Sequence, residues 1–198
     1  MKFSAVKVLI GVNVAVFLLW LVIGPVLEIP FALWPLKRAP DTAPFEIWQV
    51  VTYAFLHGGY AHILFNMWGL WLFGNEIERY LGPRRLLMIY FASVVTAAIS
   101  QLLVPLWSHA PAGPTVGASG GVFGLLLAYA FMFPQRKLIV LILPIPMPAW
   151  LFAMLYAGAE LYLGITGSQE GVAHFAHLGG MIGSAILLAY WGRRGIGE

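Results

Sequence analysis

The amino-acid sequence predicts an all-α polytopic membrane protein, a bundle of six transmembrane helices, and three observations carry that expectation. Of 198 residues, 61% are hydrophobic and only 10% charged, against about 45–50% and about 25% in soluble domains. Eight acidic and 11 basic side chains could not cover the water-facing surface of a soluble protein of this length, and mean hydropathy is +0.85. The apolar residues also fall in runs close to the roughly 20 residues that a spanning helix needs. A soluble enzyme, a DNA-binding module and a disordered regulator are thereby excluded. The absence of cysteine further excludes disulfides, thiolate metal sites and cysteine nucleophiles.

The elements follow in order. Residues 6–27 form the first span. The stretch from Val8 to Leu27 is long enough to cross, and no small-x-small cleavage site follows it, so it reads as an uncleaved helix rather than a signal peptide. Residues 28–59 form a long first loop with Pro30, Pro35, Pro40 and Pro44. Its aromatics Phe31, Trp34, Phe45, Trp48, Tyr53 and Phe55 predict a segment lying in the membrane interface. Further spans are expected at 60–81, 85–106, 117–133, 148–165 and 172–191. Residues 138–147, broken by Pro144 and Pro146 before Pro148, read as an interfacial approach to the fifth span. The whole chain, 1–198, is expected to be one membrane domain.

Cation placement predicts orientation. Lys2, Lys7, Arg79, Arg84, Arg85, Arg136, Lys137, Arg193 and Arg194 fall on one side, and Lys37 and Arg38 on the other. The positive-inside rule then places both termini in the cytoplasm and the loops between spans 1–2, 3–4 and 5–6 outside.

Polar groups inside spans are expensive, so each is a functional candidate. Span 2 opens with His62 and Asn66, span 4 with Gly117-Ala118-Ser119-Gly120-Gly121, and span 6 with His174 and His177. Ser119 to Phe133, His177 to Trp191 and Asn66 to Tyr80 are each 14 residues, or about 21 Å of helix. In a hydrocarbon core of roughly 30 Å all three side chains lie at one level, about 9 Å below the outer boundary. A hydroxyl, an imidazole and a carboxamide at one depth are the parts of a serine hydrolase. Ser119 would be the nucleophile and His177 its base. Asn66, His62 and the Ser119 N–H would serve the oxyanion. Gly117/Gly121 and Gly120/Gly124 on span 4, with Gly179/Gly183 and Gly180/Ser184 on span 6, would let the two helices approach closely. Phe123, four residues after Ser119, shares its helix face and could pack on His177.

Neither Asp41 nor any span residue is expected to orient the histidine, which leaves a Ser119–His177 dyad. Glu160, a lone acid in span 5, has no partner legible in the sequence and is read as structural, as are His57 and His174. His109 reads as an exposed loop residue, and Ser100 and Gln101 as packing rather than water-holding groups. The G-x-S-x-G match at Ser119 lacks the strand–turn–helix context of the soluble hydrolase elbow and is accidental.

At these residues the chain closely resembles the rhomboid family of intramembrane serine proteases, over nearly its whole length and in the basic six-helix form. The glycine-alanine-serine-glycine at Ser119 and alanine-histidine-leucine-glycine-glycine at His177 look like the family's nucleophile and base. His62-x3-Asn66 resembles its oxyanion motif, and Phe123 stands where an aromatic commonly lies beside the histidine. Trp48-Gln49 resembles a tryptophan-arginine pair of the first loop, with Gln49 departing from the arginine. Glu78, ahead of Arg79 and Gly82, looks like a structural glutamate. The resemblance implies hydrolysis of a peptide bond in the transmembrane segment of single-pass or polytopic membrane-protein substrates, near the outer face. It also implies an outward-opening water-filled cavity, a lateral substrate route between spans 2 and 5, and residence in a prokaryotic cell (inner) membrane. Substrates would carry helix-weakening residues and a small side chain before the cut. No cofactor, metal or nucleic acid is expected. The competing classes are an inactive rhomboid-like protein that holds membrane clients, and a transporter or metal channel using His57, His62, His174 and His177. Against them stand the intact serine and histidine, and the lack of acidic partners and of an H-E-x-x-H motif.

Overall fold

The computed structural model describes residues 4–37, 42–107, 113–139, 145–167 and 172–192. Helix α1 (Ala5–Ile23) continues through a 3₁₀ turn, Gly24–Leu27, into α2 (Glu28–Phe31). After α3 (Gln49–Thr52) and a second 3₁₀ turn comes α4 (Tyr60–Trp107), then α5 (Ser119–Met132). Strands β1 (Lys137–Leu138) and β2 (Met147–Pro148) form an antiparallel pair before α6 (Ala149–Thr166) and α7 (His174–Gly192).

Helix α4 is two crossings in one. Gly82, at φ 80° and ψ 166°, takes a conformation that disfavours any side chain. Pro83 follows it, and the chain turns back there, giving a first limb (60–81) and a second limb (83–107) in place of the second and third predicted spans. The bundle is thus the six-crossing architecture that the apolar runs predict. Residues 5–31, α4, α6 and α7 are long and apolar enough to cross a membrane, and α5 is shorter.

That shortness is the main departure from the predicted spans. The expected fourth crossing, 117–133, holds a helix of 14 residues that begins only at Ser119, because Gly117 sits at φ 125°, outside helical space. At about 1.5 Å per residue it covers about 21 Å of a hydrocarbon core of roughly 30 Å. Its residues from Gly120 to Leu126 are all buried.

The first loop also departs from expectation. Rather than lying in the interface throughout, it dives into the bundle: Tyr53, Ala54 and His57 are buried, and the Tyr53 hydroxyl donates to the Val94 carbonyl at 2.9 Å. A bridge between Leu33 and Thr115 pins the loop over the segment leading to Ser119, and the Gly117 N–H donates to the Tyr53 carbonyl at 3.0 Å. Gln49, fully buried, replaces a charge with an internal clasp. Its Oε1 accepts from the N–H groups of Trp34 and Glu46, and its Nε2 donates to the Pro44 carbonyl. The expected approach 138–147 opens as the β1–β2 hairpin; its residues 140–144 lie outside the described residues, as do Lys2, Arg38, Asp41, His109, Arg193 and Arg194.

The second limb is the centre of the molecule, with Leu86, Ile89, Tyr90, Val94, Ala97 and Ala98 fully enclosed. Helices α5 and α7 meet it and each other through small residues. A Cβ on Gly180 would fall 2.0 Å from the Gly120 carbonyl oxygen, and one on Gly124 1.9 Å from Ser93 Oγ. A Cβ on Gly179 would fall 2.2 Å from Ser100 Oγ, so Ser100 faces the α7 backbone. Helix α6 rests on α5 and α7 and makes almost no contact with α4.

A cluster of charged groups lies at the opposite end of the bundle from Ser119. Glu76 pairs with Arg79 and Arg136, and Arg85 lies over the Trp191 ring. Glu78 accepts from Ser4 Oγ and from the Ala5 and Val6 N–H groups, at 3.0, 2.7 and 3.1 Å. It thereby satisfies donors that the first turn of α1 leaves unpaired. Replacing Glu78 with Ala is expected to destabilise the protein by about 2–3 kcal/mol, read as a lower Tm with kcat little changed.

Candidate active site

Two helix starts build the site. Ser119 is the first residue of α5, and His177 lies one turn into α7. The Gly120–Gly180 contact holds these helices close enough for Ser119 Oγ to stand 2.8 Å from His177 Nε2. Phe123, one turn after Ser119, lies flat on the imidazole, with centroids 4.3 Å apart and planes within 4°. Tyr156 of α6 also packs on Phe123, with ring centroids 5.3 Å apart. The ring is thereby held in one plane with its Nε2 toward the hydroxyl.

The first limb supplies the neighbouring donors. His62 Nδ1 accepts from the Gly58 N–H at 3.4 Å, which leaves its proton on Nε2. That nitrogen lies against Gly117: a Cβ there would fall 2.6 Å from it, so residue 117 must be glycine for the ring to sit beside the start of α5. His57 backs the ring edge-on, with centroids 5.0 Å apart. Burial, with His62 alongside, pushes the His57 pKa down to about 4, so His57 stays neutral. Asn66 is buried and donates one Nδ2 hydrogen to the His62 carbonyl at 2.9 Å; the amide carries a second hydrogen. As the first residue of α5, Ser119 has an N–H with no intrahelical acceptor.

One sequence expectation is overturned. A span residue does stand behind His177: Glu160 Oε2 lies 2.9 Å from its Nδ1 and 2.6 Å from His174 Nδ1. All three residues are buried. The acid without a legible partner has two. The signal was present: Glu160 lies six residues before the end of α6, about 9 Å of rise, at the depth computed for Ser119 and His177. His174 and His177, three apart, share a helix face. Glu160, His174 and His177 could together offer a metal three ligand atoms. Tetrahedral zinc with Zn–N near 2.0–2.1 Å spaces its ligands about 3.3 Å apart, wider than the 2.6 and 2.9 Å found between these atoms. The set fits shared protons better than an ion.

Fold and site together define a polytopic α-helical membrane protein with a hydroxyl–imidazole pair sunk between two helix starts. Comparison with known proteins then gives the family. The rhomboid domain model matches residues 44–194, and the chain belongs to the rhomboid family. It is similar to the mitochondrial rhomboid protein 1 of Saccharomyces cerevisiae, 31% identical over 182 residues, 89% of this chain and 50% of that protein. It is also similar to the rhomboid protease GlpG of Yersinia pestis (strain Pestoides F), 29% identical over 185 residues, 91% of this chain and 60% of that one. GlpG of Yersinia pseudotuberculosis serotype I (strain IP32953) is 30% identical over 182 residues, with the same shares. The chain thus spans about half to three fifths of the length of these relatives.

Proposed function

We propose that this protein is an intramembrane serine endopeptidase that cuts membrane-protein substrates within the bilayer, with Ser119 as nucleophile and His177 as base. The observation that carries the reading is the 2.8 Å approach of Ser119 Oγ to His177 Nε2, in a part-buried site with polar donors on one side. His177 takes the Ser119 proton as Oγ attacks the scissile carbonyl, and returns it to the leaving amine. The acyl-enzyme is then hydrolysed by water activated the same way. Negative charge on the tetrahedral oxygen is met by the Ser119 N–H at the positive end of α5, by Asn66 Nδ2 and by His62 Nε2. Phe123, Gly117 and Gly120 shape the site and take no part in proton or acyl transfer.

A substrate helix satisfies its own backbone in lipid, so it must unwind locally before attack, which favours helix-weakening residues and a small side chain at the cut. The near-absence of contact between α6 and α4 supports lateral entry on that side. The clustering of Arg79, Arg85 and Arg136 at the far end supports cytoplasmic termini and a site opening outward. In this reading the chain is a single membrane domain of a prokaryotic inner membrane.

The test is labelling and cleavage by the full chain in proteoliposomes. A fluorophosphonate should label Ser119 in the wild type and fail after His177→Ala, and cleavage of a transmembrane substrate should survive a chelator. Labelling elsewhere, or loss of cleavage with chelator, would sink the reading. Asn66→Ala is expected to lower kcat by about 10²-fold with the fold intact; an unchanged kcat would demote Asn66 to packing.

A further inference from the structure

His177 has a second nitrogen, and the serine accounts for only one. Glu160 enters from α6 and sets one carboxylate oxygen between two imidazoles, 2.9 Å from His177 Nδ1 and 2.6 Å from His174 Nδ1. A charge in such surroundings carries a penalty of several kcal/mol unless it is paired and hydrogen-bonded, and few positions in this chain place an acid inside a span at all. A residue kept at that penalty, aimed at the back of the proposed base, calls for a role.

We infer that Glu160 is a positioning residue for His177, converting the serine–histidine pair into a three-membered relay in which His174 anchors the carboxylate. The inference rests on the assignment of Ser119 and His177 above. An anionic carboxylate accepts only, so each Nδ1 that meets it carries a proton. A proton fixed on His177 Nδ1 leaves the lone pair on Nε2, the nitrogen facing Ser119. When Nε2 then takes the serine proton, the ring becomes a cation beside a carboxylate, which stabilises it without accepting the proton itself. His174 holds the acid through a direct hydrogen bond. The His177 contact lies off the hydrogen-bond axis at rest, and catalytic contacts of this kind commonly tighten only in the substrate complex. Phe123 constrains the plane of the ring, and Glu160 selects which nitrogen within that plane is basic.

The titrating groups that face this cluster come from several elements. They are His174 on α7, Tyr156 one turn before Glu160 on α6, and His62 on the first limb. Toward α7 the second limb presents Ala92, Thr96 and Ser100, which do not titrate.

The experiment compares wild type, Glu160→Gln and Glu160→Asp in the full chain, reconstituted in proteoliposomes. It reads kcat and KM with a transmembrane substrate, together with fluorophosphonate labelling and Tm. Glu160→Gln is expected to lower kcat by about 10²-fold at unchanged KM. Glu160→Asp, which keeps the carboxylate, should recover most of that loss. A purely structural acid would lower Tm and the labelled fraction in both variants, with kcat per labelled site unchanged. Wild-type kcat in Glu160→Gln would overturn the inference while leaving the protease reading intact. A wild type that neither labels nor cleaves would remove both. Should Glu160→Gln not fold, ¹⁵N NMR of histidine-labelled wild type decides, with His177 assigned by loss of its signals in His177→Ala. A His177 protonated on Nδ1 and bare on Nε2 supports the inference, and the reverse tautomer overturns it.

Discussion

Ser119→Ala is expected to reduce cleavage of a transmembrane substrate by at least about 10⁴-fold, the scale seen when a hydrolase loses its nucleophile. The effect should fall on kcat, because the hydroxyl forms a bond only as the reaction proceeds, while the surfaces that would receive substrate stay in place. The fold should survive. The tight contacts around the start of α5 are made by Gly120, Gly121 and Gly124, and alanine is an acceptable first residue of a helix. Mass spectrometry of the products in proteoliposomes, with Tm recorded alongside, checks both halves. Cleavage at an unchanged site in the variant would require a different nucleophile.

Gly180→Val should do the opposite, removing activity by removing the fold. A Cβ at Gly180 would lie 2.0 Å from the Gly120 carbonyl oxygen, 2.7 Å from its carbon and 3.1 Å from its Cα. These are backbone atoms of a buried helix and cannot rotate away, so α5 and α7 must part. Overpacking of this kind costs about 3 kcal/mol, and separation of the two helices also lengthens the Ser119–His177 contact. Loss of fluorophosphonate labelling together with a sharp fall in Tm is the expected outcome. Gly158→Ala provides the contrast, since nothing lies within 4 Å of its added carbon and alanine favours helix. Full stability in Gly180→Val would show that the helices can slide apart without loss.

Much of this arrangement was legible because membrane burial makes polar residues conspicuous. Ser119, His177, His62 and Asn66 stand out against apolar runs, and helical rise places Ser119, His177 and Asn66 at one level. Phe123 followed from four-residue spacing. Glu160 stands out equally but has no partner in the sequence, since periodicity relates residues within one helix and not across two. Its partners become visible only when α6 is laid against α7, although its depth matched theirs. The start of α5 is hidden from the sequence for a similar reason. Gly117 and Ala118 are as apolar as the helix they precede, and hydropathy cannot report that a backbone turns at φ 125° to make room for the His62 ring. Composition places Tyr53 in the interface, whereas its hydroxyl finds the Val94 carbonyl inside the bundle. An aromatic with a polar tip suits both places.

The 14-residue length of α5 decides where the products of the proposed reaction can go. Cutting a peptide bond replaces one neutral amide with a carboxylate and an ammonium, two ions that hydrocarbon strongly disfavours. At the start of α5 the near face is about 9 Å away and the far face about 21 Å. Both new chain ends are therefore drawn toward the near face. Rejoining them would mean carrying two solvated ions back into the bilayer, so the geometry of one short helix gives the cut a direction as well as a place.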